Sequence, residues 1–201
     1  MTVGCGTLRM VQPTDLGQTE AMVPDPPAAV WVRPQLRVGR SSISGQGLFT
    51  HQPIVAGQVV WRLGGRLVDT AELDALIRDA NAKGNYVDTI TVFEGAHLVL
   101  PDHSIVHFAN HSCDPNLWHD GPYEVAARRN IAAGEELTID YGTNSGAPGF
   151  EMTCVCNSPD CRGMVSSEDW RIDALQRRYE THWVPALAVR INNTRTDQGG
   201  K

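Results

Sequence analysis

The sequence predicts a mostly β, α+β domain, and three observations predict it. Short runs of β-branched and aromatic residues recur through the middle of the chain, set apart by clusters of Gly, Pro, Asn and Asp that turn it. Only two stretches carry the 3.6-residue apolar period of an amphipathic helix. With 201 residues, 41% of them apolar and 20% charged, the chain can build one good-sized core or two small ones, and it is unlike a disordered, collagen-like or coiled-coil sequence.

Residues 1–30 mix Gly, Gln, Thr and Pro, include Asp25-Pro26-Pro27, and show neither period; they read as a mobile arm. Leu36-Arg37-Val38 is the first expected strand, Val59 to Leu63 the second, and Tyr86 to Phe93 a longer third. Further strands are expected at His97 to Leu100, Glu124 to Ala127 and Glu136 to Ile139. Thr70 to Lys83 places Leu73, Leu76, Ile77 and Ala80 at i, i+3, i+4 and i+7, with Thr70 as N-cap and Gly84 as stop. Ser166 and Asp169 have capping-box spacing; the helix they open carries Ile172, Leu175, Tyr179 and Trp183 on one face until Pro185 ends it. Residues 192–201 are polar and read as a frayed tail.

The net charge of −6 argues against sequence-independent binding to nucleic acid, which comes from basic surface, and suits a basic protein or peptide partner. No apolar run approaches the about 18 residues that cross a bilayer, and residues 1–30 lack a secretory pattern, so no membrane partner and an intracellular location are expected. Fifteen of the 17 cationic residues are Arg, a bias that nothing in the sequence explains.

Chemistry concentrates in four segments. Ser44-Gly45-Gln46-Gly47-Leu48-Phe49 lets the backbone pass close to a ligand or simply makes a β-turn; Thr50 and His51-Gln52-Pro53 rule out a dinucleotide-binding fingerprint. His107 to Asn116 is a dense polar run in which Asn110 and His111 offer donors and acceptors to a polar cofactor and Cys113 is a metal ligand or a nucleophile; taken singly, His111 reads rather as a satisfied core histidine and Cys113 as a small buried hydrophobe. Gly134 to Gly142 delivers Tyr141 at a strand end, where its hydroxyl orients a reacting group or caps the core. Cys154, Cys156 and Cys161 form a tight three-thiol knuckle; a tetrahedral zinc site needs a fourth soft ligand, and Cys113 is the one other cysteine besides Cys5 near the start.

In this order, Gly-Gln-Gly-Leu-Phe, Asn-His-Ser-Cys-Asp-Pro-Asn, Gly-Glu-Glu-Leu-Thr-Ile-Asp-Tyr-Gly and Cys-x-Cys-x4-Cys-Arg-Gly resemble the SET-domain protein lysine methyltransferases with a post-SET zinc knuckle, over about Leu36 to Gly163. The resemblance implies a β-clip-like fold of several small sheets with a pseudoknot-like crossing, in which the segment around Asn110 passes beneath a loop near Tyr141. It implies a SET domain at 35–147 and a post-SET knuckle at 148–164; the expected divisions outside it are a mobile arm at 1–34, a helical extension at 165–191 beyond the family pattern and the tail at 192–201. S-adenosylmethionine is the implied methyl donor, held by Gly45, Gln46, Gly47, Asn110, His111 and Tyr141, with Tyr141 catalytic and a structural zinc on Cys113, Cys154, Cys156 and Cys161. A protein or basic peptide presenting a lysine is the implied substrate, and Tyr86 and Trp118 are candidate walls of its channel.

The sequence departs from the family in five respects: His107 stands where the family usually has Arg, Asn157 follows the second knuckle cysteine in place of Gly, the segment from Gly64 to Tyr86 is short, no pre-SET cysteine cluster precedes Gly45, and the final helix from Ser167 lies outside the family pattern. The compact architecture suits a microbial, cytoplasmic protein, or a nuclear one in a eukaryotic host. Two other functions compete: an inactive zinc-stabilised module that binds a basic peptide, and a Cys-His hydrolase built on Cys113.

Overall fold

The computed structural model describes residues 24–144 and 149–199. In chain order the elements are β1 (Trp31–Val32), β2 (Leu36–Arg40), β3 (Gln46–Thr50), β4 (Val59–Arg62), β5 (Arg66–Asp69), α1 (Thr70–Ala82), β6 (Thr89–Phe93) and β7 (Ala96–Val99). They continue as β8 (Asn110–His111), β9 (Leu117–Asp120), β10 (Glu124–Ala127), β11 (Glu136–Ile139), β12 (Glu151–Thr153), β13 (Met164–Ser166), α2 (Asp173–Tyr179) and α3 (Pro185–Gly199). Four small sheets result, ordered β1-β4-β10-β9, β2-β3-β11-β8, β5-β7-β6 and β12-β13. Each strand is too short to bury much alone, so the first three sheets share one core, with Leu48, Val60, Leu98, Leu117, Val125 and Leu137 fully buried in it, while Val165 of β13 packs with Cys113 and Cys154.

The expected strands from the β-branched runs are present, with one shortened. β6 starts at Thr89, not Tyr86, because the chain leaves α1 through Gly84 at φ +69, leaving Tyr86 75% exposed. The N-cap of α1 is Asp69, whose Oδ1 accepts from the Glu72 backbone N–H at 2.8 Å; the Thr70 hydroxyl is taken by His97 Nε2 at 3.0 Å. Asp69→Ala is therefore expected to cost about 1 kcal/mol and to lower the melting temperature by roughly 2–4 °C; an unchanged melting curve would assign the helix start elsewhere.

Two boundary expectations are corrected. Residues 1–23 lie outside the described residues, but 24–34 are not a free arm. The Tyr123 hydroxyl donates to the Pro24 carbonyl at 2.6 Å, Gly65 N–H donates to the Pro27 carbonyl at 2.9 Å, and β1 pairs antiparallel with β4. At the other end a single helix to Trp183 does not form. A 3-10 turn at Asp169–Arg171 is followed by α2, which stops at Glu180 in a left-handed conformation (φ 49), and Trp183 sits in the connector.

Pro185 then opens α3 in place of ending a helix, because a first-turn residue needs no N–H and its fixed φ suits the start. Residues 192–199 continue that helix and are not a frayed tail; the Thr194 and Thr196 hydroxyls turn inward to carbonyls of the same helix. Trp170, Leu175, Tyr179, Trp183, Val184, Leu187 and Ile191 form a second core, which Ile90 of β6 joins to the first. Arg190 on α3 pairs with Glu94 at 2.9 Å. None of the described helices is long and apolar enough to cross a membrane.

Candidate functional site

The site is assembled by a parallel pairing of two segments distant in sequence. β8 lies beside β11, with Asn110 opposite Thr138 and His111 opposite Ile139, and Ser112 N–H extends the ladder to the Ile139 carbonyl at 3.1 Å. The buried Asn116 side chain fixes this register, donating to the Glu136 carbonyl at 2.7 Å and accepting from Thr138 N–H at 2.9 Å. Residues 110–113 are thereby held against residues 138–142.

On one side of the crossing is a nook rich in acceptors. Asn110 Nδ2 donates to the Ser44 and Gln46 carbonyls at 3.2 and 3.0 Å and to Glu136 Oε1 at 2.8 Å. The same carboxylate is held by the Ser41 hydroxyl at 2.7 Å. Two glycines are required here. Gly45 has φ +48, and a Cβ on Gly47 would lie 2.2 Å from Glu136 Oε1. Two carbonyls and a carboxylate converging on one point suit an amino group with several N–H bonds.

On the other side is a cavity of about 370 Å³ between the β4-β10-β9 surface, β6, α1 and the 3-10 turn at Ile105–Phe108. Tyr141 and Ala109 both line it, and the Tyr141 hydroxyl donates to the Ala109 carbonyl at 3.0 Å. Ala109 immediately precedes Asn110, so Tyr141 stands where the cavity meets the nook. Burial, reinforced by Asp88, pushes the Tyr141 hydroxyl up to about 12, so it is a neutral donor at pH 7 and not a base. Asp88 pairs with His107 in the cavity wall, so the residue in the family's Arg position finds a carboxylate partner. The wall also holds buried polar atoms without a hydrogen-bond partner among the described residues: Trp61 Nε1, Thr89 Oγ1 and both ring nitrogens of His119.

Tyr86 and Trp118 do not line this cavity. Tyr86 meets His107 edge-on at 6.4 Å from outside, and Trp118 stacks on His182 at 3.5 Å. The aromatic wall is Trp61, Tyr141 and Phe150.

Beneath the crossing the knuckle thiols gather. The donor atoms of His111, Cys113, Cys154 and Cys156 all lie within 4.8 Å of one another, and Cys113 Sγ is 3.7 Å from Cys154 Sγ. Cys161, at the exposed rim, has its Sγ 3.9 Å from the Cys154 carbonyl, and its thiol interacts with those of Cys154 and Cys156. Asn157 adopts φ 55, as the Gly usual at that position would. Burial pushes the Cys113 thiol up to about 11. Burial also works against the Cys156 thiolate, but N–H donors from Cys113 and Ser158 outweigh it and bring this thiol down to about 7. A nucleophilic Cys113 is thus disfavoured, whereas the thiols of Cys113, Cys154 and Cys156, with the His111 ring among them and the Cys161 thiol at the rim, fit a tetrahedral zinc.

The knuckle is latched to the crossing by Arg162. Its Nη1 and Nη2 donate to Asp140 Oδ2 and Oδ1 at 2.7 and 2.6 Å, and Asp140, with no exposure, also accepts from Gly142 N–H at 2.9 Å and the Tyr179 hydroxyl at 2.8 Å. Asp169 lies 2.9 Å from Arg162, close enough for charge attraction but without the alignment of a hydrogen bond. Sequence reading missed this network, although Asp140 and Arg162 lie within two of the motifs, and it missed His119 and Trp61, which stand in strand text without a distinguishing signal.

The SET domain family model matches residues 45–142. Histone-lysine N-methyltransferase ATX2 of Arabidopsis thaliana is 31% identical over 151 residues, which cover 68% of this chain and 13% of that protein. The probable histone-lysine N-methyltransferase set-23 of Caenorhabditis briggsae is 28% identical over 65% of this chain and 60% of its own length. The methyltransferase domain of human histone-lysine N-methyltransferase SETMAR superposes with a TM-score of 0.52 at 22% identity, over 67% of this chain and 58% of that one. The chain thus spans only a small fraction of the longer relatives it matches.

Proposed function

As the chain belongs to the SET-domain family through residues 45–142, we propose that it is an S-adenosylmethionine-dependent protein-lysine N-methyltransferase. The observation that carries the proposal is Tyr141, its hydroxyl held at the junction between the acceptor nook and the cavity. The cofactor supplies an electrophilic methyl group. Ser44, Gln46 and Glu136, with Asn110, offer the acceptors that its amino group needs, and Gly45 and Gly47 keep the approach clear.

The cavity takes the lysine side chain. Its apolar lining, from Leu63, Leu100, Val106 and Ile139, disfavours an ammonium and so promotes loss of the amine's proton, which an unperturbed pKa near 10.4 opposes. Alignment and exclusion of water then lower the barrier, with Tyr141 orienting the amine. The zinc on Cys113, Cys154, Cys156 and Cys161 is structural, holding the knuckle against the crossing. The relatives are named for lysines in histones, so the proposed substrate is a lysine in a basic protein or peptide, in keeping with the −6 charge. The proposed setting is the cytoplasm of a microbial host, or the nucleus in a eukaryotic one.

The test is transfer of label from S-adenosylmethionine to a mixed pool of basic proteins and peptides, with the modified residue identified by mass spectrometry. Label on lysine is expected. Cofactor binding without transfer to any member of the pool, together with tight binding of a basic peptide, would favour the inactive zinc-stabilised module.

A further inference from the structure

The helical extension lies beyond the family-matched residues 45–142, yet its polar contacts converge on the short turn that carries Tyr141, a 3-10 turn at Tyr141–Thr143. From α2 the Tyr179 hydroxyl donates to Asp140 Oδ2 at 2.8 Å. From the connector Val184 N–H donates to the Thr143 carbonyl at 3.1 Å. Between these two ties, Gly142 lies so near Asp169 that a Cβ on it would come to 3.0 Å from the Asp169 Cβ. The second core also takes in Ile90, which lines the cavity from β6. A terminal helix laid down only to cover apolar surface has no need of polar bonds aimed at a single turn.

Asp140 transmits the hold of Tyr179 to the neighbouring residue. Its Oδ1 accepts Gly142 N–H at 2.9 Å, and its carbonyl accepts Thr143 N–H at 3.0 Å and the Thr143 hydroxyl at 2.7 Å. Where Asp140 sits therefore fixes the backbone on both sides of Tyr141, and with it the direction of the Tyr141 ring. The Tyr179 ring is fully buried and stands edge-on to Trp183 at 5.6 Å, so the direction of its hydroxyl is fixed as well. Arg162 holds the same carboxylate from the knuckle.

We propose that Tyr179 is a positioning residue for methyl transfer, acting through Asp140 on the turn that carries Tyr141, so that the C-terminal extension is part of the scaffold of the site. The inference rests on the methyl-transfer reading above. Arg162 keeps the Asp140 carboxylate paired when the hydroxyl is removed, and Phe keeps the buried ring, so Tyr179→Phe is expected to fold.

In the full chain, with S-adenosylmethionine and the member of the pool that accepts most label, Tyr179→Phe is expected to lower kcat by up to about 100-fold, the effect of displacing a reacting group by about 1 Å. The KM for S-adenosylmethionine is expected to stay at the parental value, and the Gly142 amide to exchange faster with deuterium. Ile191→Val trims the second core and removes no bond to the turn; it is expected to lower the melting temperature and leave kcat unchanged. A parental kcat in Tyr179→Phe would overturn the inference, and so would a fall in kcat matched by Ile191→Val at equal loss of stability. An unmodified chain that transfers no methyl group would overturn the methyl-transfer reading and this inference with it, whereas a transferring parent with an equally active Tyr179→Phe overturns the inference alone.

Discussion

Arg162→Ala is expected to destabilise the protein by about 3–5 kcal/mol, the cost of removing one partner from a buried ion pair. The magnitude follows from what is left behind. Asp140 loses both guanidinium donors and keeps only Gly142 N–H and the Tyr179 hydroxyl, and Asp169, 5% exposed, loses its one close cation. Two carboxylates with little access to water then face each other through the space the guanidinium filled. Urea denaturation at pH 7 measures the loss, with the slope checking that the unfolded state is unchanged. A loss under 1 kcal/mol at pH 7 would mean that the latch is a solvated pair.

Tyr141→Phe is expected to lower methyl transfer by about 100–1000-fold, the range seen when one well-placed donor is removed from a reacting centre. Folding should suffer far less. The hydroxyl makes one recorded hydrogen bond, to the Ala109 carbonyl, so its removal costs about 1 kcal/mol. The ring itself, packed 5.4 Å from His111, is kept. Single-turnover transfer and a thermal melt on the same sample separate the two effects. Transfer at the parental rate would take the hydroxyl out of the reaction; equal losses of transfer and of folded protein would make Tyr141 a core residue.

The legible part of the fold was the part whose pattern is local. Val59-Val60-Trp61, Glu124 to Ala127 and Glu136 to Ile139 declare strands by β-branched and apolar content, and α1 by its Leu73, Ile77 spacing. β3 was hidden because its glycines read equally as a turn; the strand exists because β2 and β11 pair on its two sides. α3 was hidden because Pro185 is the same residue whether it stops one helix or starts the next, and only the burial of Leu187 and Ile191 decides.

At the site, Asn110, Tyr141 and the thiols were visible from residue type and spacing. His119 was not. A lone His in a strand carries no mark of its surroundings, and its two unpartnered nitrogens appear only once β9 and β10 stack over the cavity. Trp118, one residue earlier, was the more conspicuous aromatic and points to His182 on the opposite side, as strand alternation requires.

The parallel pairing of β8 with β11 also sets an order of events during folding. Cys154, Cys156 and Cys161 can meet on a short stretch of chain, whereas Cys113 is held beside them across a long loop by the pairing of residues 110–112 with 138–139. Closing a loop of that span carries an entropic cost that must be met by strand pairing, since each doubling of loop length adds about 0.6 kcal/mol. With Cys113 as the proposed fourth ligand, the change from three to four sulfur ligands during refolding with metal is expected to report the pairing of β8 with β11, readable by cobalt absorbance without any substrate.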